Sequence, residues 1–266
     1  MPYAKVNGTT LYYETKGNGQ TVVLLHGWTL DTTMWDDQFD EFAKQYHVLR
    51  YDLRGYGKSA LKTQEPFTHH DDLKALLDYL KIEKAALIGL SMGGTIAINF
   101  TLTYPETVSA LVTVDSSIEN STSPYMAEFN KSWSKIFVKG KEGGVESARS
   151  FWMEMPLFKP VMDNPRCSTR LKNIVGSYSG WDFVNESNII EMSPIPERRL
   201  HEVKAPTLVV VGELDDTGFL DIGNVISNGI RGSEKVTLRG VGHMSNMENP
   251  EEFNRIVLNF LGKSIK

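Results

Sequence analysis

The sequence predicts an α/β protein, an open and mostly parallel sheet with helices on both faces and a helical insertion late in the chain. Three observations carry this. Short apolar runs alternate with helical periodicities, a glycine-flanked serine sits where one run gives way to a helix, and residues 118–200 interrupt the alternation without a convincing strand.

Val6-Asn7-Gly8-Thr9 reads as a two-residue hairpin turn, because Asn-Gly tolerates the positive φ values such turns need. It joins two short antiparallel strands, the second ending near Tyr13. Strands are then expected at Val22–Leu25, Val48–Tyr51, Ala85–Gly89, Leu111–Val114, Thr207–Val211 and Val236–Leu238. Runs this short and apolar suit strands covered on both faces. Leu73, Leu76, Leu77 and Leu80 repeat at helical spacing and give one apolar stripe. A second helix starts at Met92 and stops near Tyr104, since Pro105 cannot continue it. The last helix opens at Asn249-Pro250-Glu251-Glu252, a capping residue before a first-turn proline and two acids.

Residues 1–117 and 201–266 are thus expected to form the core, and 118–200 a helical cap holding three of the five tryptophans, Trp133, Trp152 and Trp181. Tyr125, Phe129 and Trp133 are expected on one face of a cap helix.

Composition narrows the function. A 41% hydrophobic content over 266 residues supports a sizeable core, and the formal charge of −5 leaves no basic face for nucleic acid or an anionic membrane. No apolar run reaches the length of a signal peptide or a membrane span. The single cysteine, Cys167, has no internal disulfide partner and fits a reducing compartment, so a cytoplasmic enzyme is expected.

The strongest chemical signal is Gly89-Leu90-Ser91-Met92-Gly93, a G-x-S-x-G pattern with a strand before and a helix after. So sharp a reversal leaves no room for side chains beside the serine, which Gly89, Gly93 and Gly94 relieve. Ser91 is the expected nucleophile. Its hydroxyl needs a base at neutral pH, and His243, between the last strand and the last helix, is the best placed of six histidines. The base needs an anionic partner. Asp215, just beyond the Thr207–Val211 strand, is preferred over its neighbours Asp216 and Asp221. An oxyanion hole is expected from the backbone N–H of Met92 and a second N–H from His26-Gly27-Trp28. His26 itself is expected to be structural.

These residues resemble the α/β-hydrolase fold family, in particular the group of 3-oxoadipate enol-lactonases, aryl esterases and cofactor-free haloperoxidase or perhydrolase-type enzymes. The resemblance covers nearly the whole chain, through His26-Gly27-Trp28, Asp52–Ser59, Gly89–Gly94, Gly212–Asp215 and Gly242-His243, and is weakest in the cap. It implies an eight-stranded, mostly parallel sheet, and it assigns the second oxyanion amide to Trp28. The order Ser91, Asp215, His243 is that of the fold. Asp52–Ser59 resembles the family's structural loop. Peracid-forming relatives carry proline after the oxyanion residue, where this chain has Thr29. Relatives with an aspartate nucleophile are excluded by Ser91.

The resemblance implies hydrolysis of a small, mainly apolar carboxylic ester without metal or organic cofactor. A lactone is the alternative, and a perhydrolase, a carbon–carbon bond hydrolase or a ligand receptor of this fold is less favoured. Trp133, Phe137, Trp152 and Trp181 are expected to line the pocket, while Arg149, Arg166 and Arg170 are the cap's candidates for a substrate carboxylate. His69-His70-Asp71-Asp72 resembles a metal-ligand cluster, but adjacent residues diverge by about 100° on a helix, and acids there suit a helix N-terminus.

Overall fold

The computed structural model describes residues 2–265; Met1 and Lys266, the outermost residues of the expected core segments, lie outside it. Among the described residues eight strands form one sheet: β1 (Tyr3–Val6), β2 (Thr9–Lys16), β3 (Thr21–Leu25), β4 (His47–Tyr51), β5 (Ala85–Leu90), β6 (Val108–Val114), β7 (Thr207–Gly212) and β8 (Glu234–Leu238). Their order is β1-β2-β4-β3-β5-β6-β7-β8. β1 and β2 pair antiparallel with each other, as do β2 and β4, and every pairing beyond is parallel.

The hairpin turn has the expected backbone, with φ of 45° at Asn7 and 71° at Gly8. Its second strand runs past Tyr13 to Lys16, because Tyr13–Lys16 pair with β4. β3, β5 and β7 are buried at every position, as their unbroken apolar runs require. β8 is an edge strand with only Leu238 buried, which explains its weak apolar signal.

Helices α1 (Asp36–Phe42), α2 (His69–Tyr79) and α3 (Met92–Thr103) lie between the strands up to β6. α2 starts where Thr68 accepts the Asp71 N–H, and it buries Leu73, Leu76 and Leu77. Between β6 and β7 the chain forms α4 (Pro124–Trp133), α5 (Lys135–Met153), α6 (Lys159–Asp163), α7 (Ser168–Ser177) and α8 (Trp181–Val184). No strand forms there among the described residues beyond an isolated bridge between Phe67 and Ile189. On α4 the expected face is rotated. Tyr125 is exposed, and Met126, Phe129, Asn130 and Trp133, at i, i+3, i+4 and i+7, face the pocket instead. After β7 come α9 (Thr217–Gly229), α10 (Ser245–Glu248) and α11 (Pro250–Ser264), the last capped by Asn249, which accepts the Glu252 N–H.

This topology locates the site. From β3 the chain moves outward to β4, then returns to β5 on the other side of β3, so strand order reverses between β3 and β5. The loops leaving the carboxyl ends of these two strands diverge and open a crevice, the usual ligand position in such a sheet. Those loops carry Trp28 and Ser91.

Candidate active site

Ser91 links β5 to α3 with φ 54° and ψ −117°, a backbone conformation rare outside glycine. The glycines around it are there for space. A Cβ on Gly89 would meet the Gly93 carbonyl oxygen at 2.2 Å, one on Gly93 would meet the Leu25 oxygen at 2.2 Å, and one on Gly94 would meet Ser116 Oγ at 2.2 Å. The turn is therefore pressed against the ends of β3 and β6. Met92 opens α3, and its N–H belongs to the first helical turn, where intrahelical acceptors are lacking.

His243 and Asp215 come together across 28 residues of chain. His243 Nδ1 lies 2.9 Å from Asp215 Oδ2 and 3.1 Å from Oδ1, and both side chains are buried. Asp215 Oδ1 also accepts the Asp216 N–H at 2.7 Å. The rival acids are occupied elsewhere: Asp216 caps α9 through the Gly218 N–H, and Asp221 accepts from Ser123. Burial opposes a charge on the His243 ring. The Asp215 carboxylate outweighs it, with smaller contributions from Asp115 and Glu248, and holds the ring's pKa above the ordinary imidazole value.

Two acids in this neighbourhood have no counterpart among the residues picked from sequence. Asp115, at the end of β6, accepts the Gly212 N–H at 2.7 Å and the Ser245 hydroxyl at 2.6 Å. It thus ties the loop of Asp215 to the segment following His243. Burial and the nearby Asp215 charge push its carboxyl well above the ordinary range. Glu248 accepts the N–H groups of Gly242 and Met244, on either side of His243. Asp115 carries a legible signal, since it follows an apolar strand at the same sheet edge as Ser91 and Asp215. Glu248 carries none, because only the folded loop brings it round.

His26 holds the loop it belongs to. Its Nε2 accepts the Leu53 N–H at 3.0 Å, so Nδ1 carries the hydrogen and donates to the Gly27 carbonyl at 2.8 Å. Burial keeps the ring neutral. Asp52 likewise accepts the N–H groups of Thr32 and Lys58. In the His69–Asp72 run, Asp72 is committed to Arg54 and Asp71 to the Tyr104 hydroxyl. Cys167 is buried, and desolvation pushes its thiol up to about 11, far from a reactive thiolate.

A cavity of about 650 Å³ opens above Ser91 and is lined by Trp28, Met92, Trp133, Phe137, Trp152 and Phe183, among others. Trp28 is the centre of its aromatic wall, with ring centroids 5.3 Å from Trp133, 5.0 Å from Trp152 and 5.4 Å from Phe183, all edge-on. Trp152 Nε1 donates to Thr29 Oγ1 at 2.8 Å. Trp181 does not line the cavity. It opens α8, with its ring 5.5 Å from the Lys62 ammonium. The three arginines considered for a substrate carboxylate are also elsewhere. Arg149 pairs with Glu146, Arg166 with Glu251 and Arg170 with Asp37. Met126, Phe129 and Phe219 extend the apolar wall.

Sheet order, strand-end loops and a serine on a strained strand–helix turn together define the class as an α/β-hydrolase fold. The chain belongs to the alpha/beta hydrolase fold family, whose model matches residues 20–250. It is similar to the 2-hydroxy-6-oxononadienedioate/2-hydroxy-6-oxononatrienedioate hydrolase of Paraburkholderia phymatum, with 30% identity over 95% of this chain and 90% of the relative. Among solved structures it resembles the enol-lactonase of Burkholderia xenovorans, at 25% identity and a TM-score of 0.83, covering 98% of this chain and 100% of that one. It also resembles a thermophilic esterase of Thermogutta terrifontis, at 26% identity and a TM-score of 0.82, covering 97% and 95%. No helix among the described residues is long and apolar enough to cross a membrane.

Proposed function

We propose that the protein hydrolyses a small, mainly apolar carboxylic ester through an acyl-enzyme on Ser91. The carrying observation is the buried His243–Asp215 pair at the sheet edge that also presents Ser91 to an aromatic cavity. In this reading His243 Nε2 takes the Ser91 proton as Oγ attacks the carbonyl carbon. Asp215 holds the Nδ1–H and stabilises the imidazolium. The N–H groups of Trp28 and Met92 receive the tetrahedral oxyanion. Collapse expels the alkoxide, which leaves as the alcohol with the proton from His243. Water, deprotonated by the same ring, then attacks the acyl carbon and releases the acid and free Ser91. No step calls for a metal or an organic cofactor.

Residues 118–200 act in this reading as the cap that excludes water and sizes the acyl or alcohol group. The charge of the cavity wall supports an uncharged substrate. Its cations are Lys62 and Lys141, its anions Glu119, Asp182 and Glu186, and no arginine is among the described lining residues. A dianionic substrate, such as the one named for the Paraburkholderia relative, meets no unpaired buried cation here, because Lys62 is held by Asp182. The likeness to an enol-lactonase favours a lactone as the second reading. Peracid formation is disfavoured by the backbone. Thr29 sits at φ 63°, where a proline ring, fixed near −65°, does not fit.

An active-site phosphonate is expected to label Ser91, and Ser91→Ala is expected to abolish both labelling and release of nitrophenol from short acyl esters. Retention of esterase activity by Ser91→Ala removes the assignment. A panel of nitrophenyl esters, lactones and a vinylogous diketone separates ester, lactone and carbon–carbon cleavage. Release beyond one equivalent distinguishes an enzyme from a receptor.

A further inference from the structure

Beneath the aromatic wall lies a charged cluster that the ester mechanism does not use. The Asp182 carboxylate, at the start of α8, accepts four side-chain donors. Lys62 Nζ reaches Oδ1 at 2.5 Å, while Oδ2 takes the Tyr56 hydroxyl at 2.6 Å, the Tyr178 hydroxyl at 2.7 Å and Trp28 Nε1 at 3.1 Å. Lys62 and Tyr56 come from the β4–α2 connection and Trp28 from the β3–α1 connection, while Tyr178 and Asp182 come from the inserted helices. The Lys62 side chain is 2% exposed and that of Asp182 11%, so both charges are largely out of water. Burial resists the Asp182 charge, but Lys62 and the two hydroxyls hold its carboxyl below the ordinary range. In a dry site such a set of bonds is stiff, and each one fixes a direction as well as a distance.

Only one of these donors belongs to a residue with a place in the reaction. The bond from Trp28 Nε1 selects one orientation of the indole, and three edge-on aromatic neighbours leave the ring little freedom to adopt another. Side-chain rotamer and backbone dihedrals are coupled. The next residue, Thr29, is held at a positive φ with its hydroxyl bonded to Trp152. The peptide at Trp28 is therefore braced from both sides.

We propose that Asp182 is a positioning residue for the oxyanion hole: by gripping the Trp28 indole N–H it sets the direction of the Trp28 backbone N–H. Seating of α8 against the core and readiness of the reacting site are then the same event. This rests on the reading of Ser91 and Trp28 given above. The bond acts on the transition state and leaves ground-state binding of a small neutral ester nearly unchanged, so its loss belongs in kcat.

The test is a double-mutant cycle of Trp28→Phe, which removes the indole N–H and keeps a ring, with Asp182→Asn, which removes the charge and half of the acceptor capacity. Nitrophenyl butyrate turnover is measured with the whole protein. Each single variant is expected to lower kcat roughly tenfold with KM changed by less than about threefold, since small misplacements of a transition-state donor are costly. The double variant is expected to be no slower than the slower single one. Losses that multiply to roughly a hundredfold, a loss confined to KM, or no loss in kcat overturn the proposal while leaving Ser91 chemistry intact. If Asp182→Asn does not fold, the charge-balanced pair Lys62→Met with Asp182→Leu replaces it in the cycle. Turnover that survives Ser91→Ala overturns the underlying reading, and the proposal with it.

Discussion

Replacing Asp215 by asparagine tests the assignment of the base most sharply, because the hydrogen bonds dictate how the amide must sit. Oδ1 accepts the Asp216 N–H at 2.7 Å, so that position has to remain an oxygen. The amide nitrogen then falls at the Oδ2 site, 2.9 Å from His243 Nδ1. A donor there forces Nδ1 to accept and moves the ring hydrogen to Nε2, the atom that must receive the Ser91 proton. The ring keeps its place but takes the wrong tautomer. The expected loss is roughly 10⁴-fold in kcat, which corresponds to about 5 kcal/mol of transition-state stabilisation. The acid limb of kcat/KM moves as well. In the native protein the limb is expected above the ordinary imidazole value of 6.5, because Asp215 raises the ring's pKa against the opposing effect of burial and only the neutral ring is a base. Without that carboxylate burial dominates, and the limb moves to lower pH. The assay is nitrophenyl ester hydrolysis across the acid range, with a melting curve to show that the fold persists. A variant that keeps a tenth of native kcat with an unmoved limb refutes the assignment.

Thr29→Pro is expected to lower the melting temperature by several degrees and to lower kcat, because the φ of 63° at this position is closed to proline. An unchanged melting curve and rate refute it. Gly93→Ala sets a Cβ 2.2 Å from the Leu25 carbonyl oxygen, a backbone atom that cannot swing aside, so loss of soluble folded protein or of phosphonate labelling is expected. Arg54→Ala leaves the Asp72 carboxylate, whose side chain is 1% exposed, with the Asn7 amide but no counter-charge, at a cost of about 3–5 kcal/mol. It is expected to lower the melting temperature by on the order of 10 °C while the folded variant retains esterase activity. A shift below about 3 °C contradicts the account of this ion pair.

What the sequence displays and what it hides divide along physical lines. The buried strands were legible because being covered on both faces demands unbroken apolar runs, and the glycines around Ser91 because crowding there admits nothing larger. The edge strand β8 was faint, since half its surface meets water. α9 has a weak sequence signal although Phe219, Ile222 and Ile226 mark its buried face, because Gly218 and Gly223 dilute the helical pattern. In the site, Ser91, Asp215 and His243 each sit next to a recognisable strand or turn. Asp182 and Trp28 lie 154 positions apart, and no local pattern announces their bond. Trp152 and Trp181 look equivalent as letters, yet one hydrogen-bonds Thr29 in the wall and the other stands outside it.

Trp28 occupies an unusual double position, for its ring forms the middle of the pocket wall while its peptide belongs to the loop facing Ser91. A chain that widens this wall to admit a bulkier acyl group, by trimming Trp133 or Trp152, removes the packing that steadies Trp28. Selectivity and speed are then inherited together. Phe219 is no freer, because its ring lies 4.2 Å from that of His243, so new substrates are reached more economically through Met126 or Phe129.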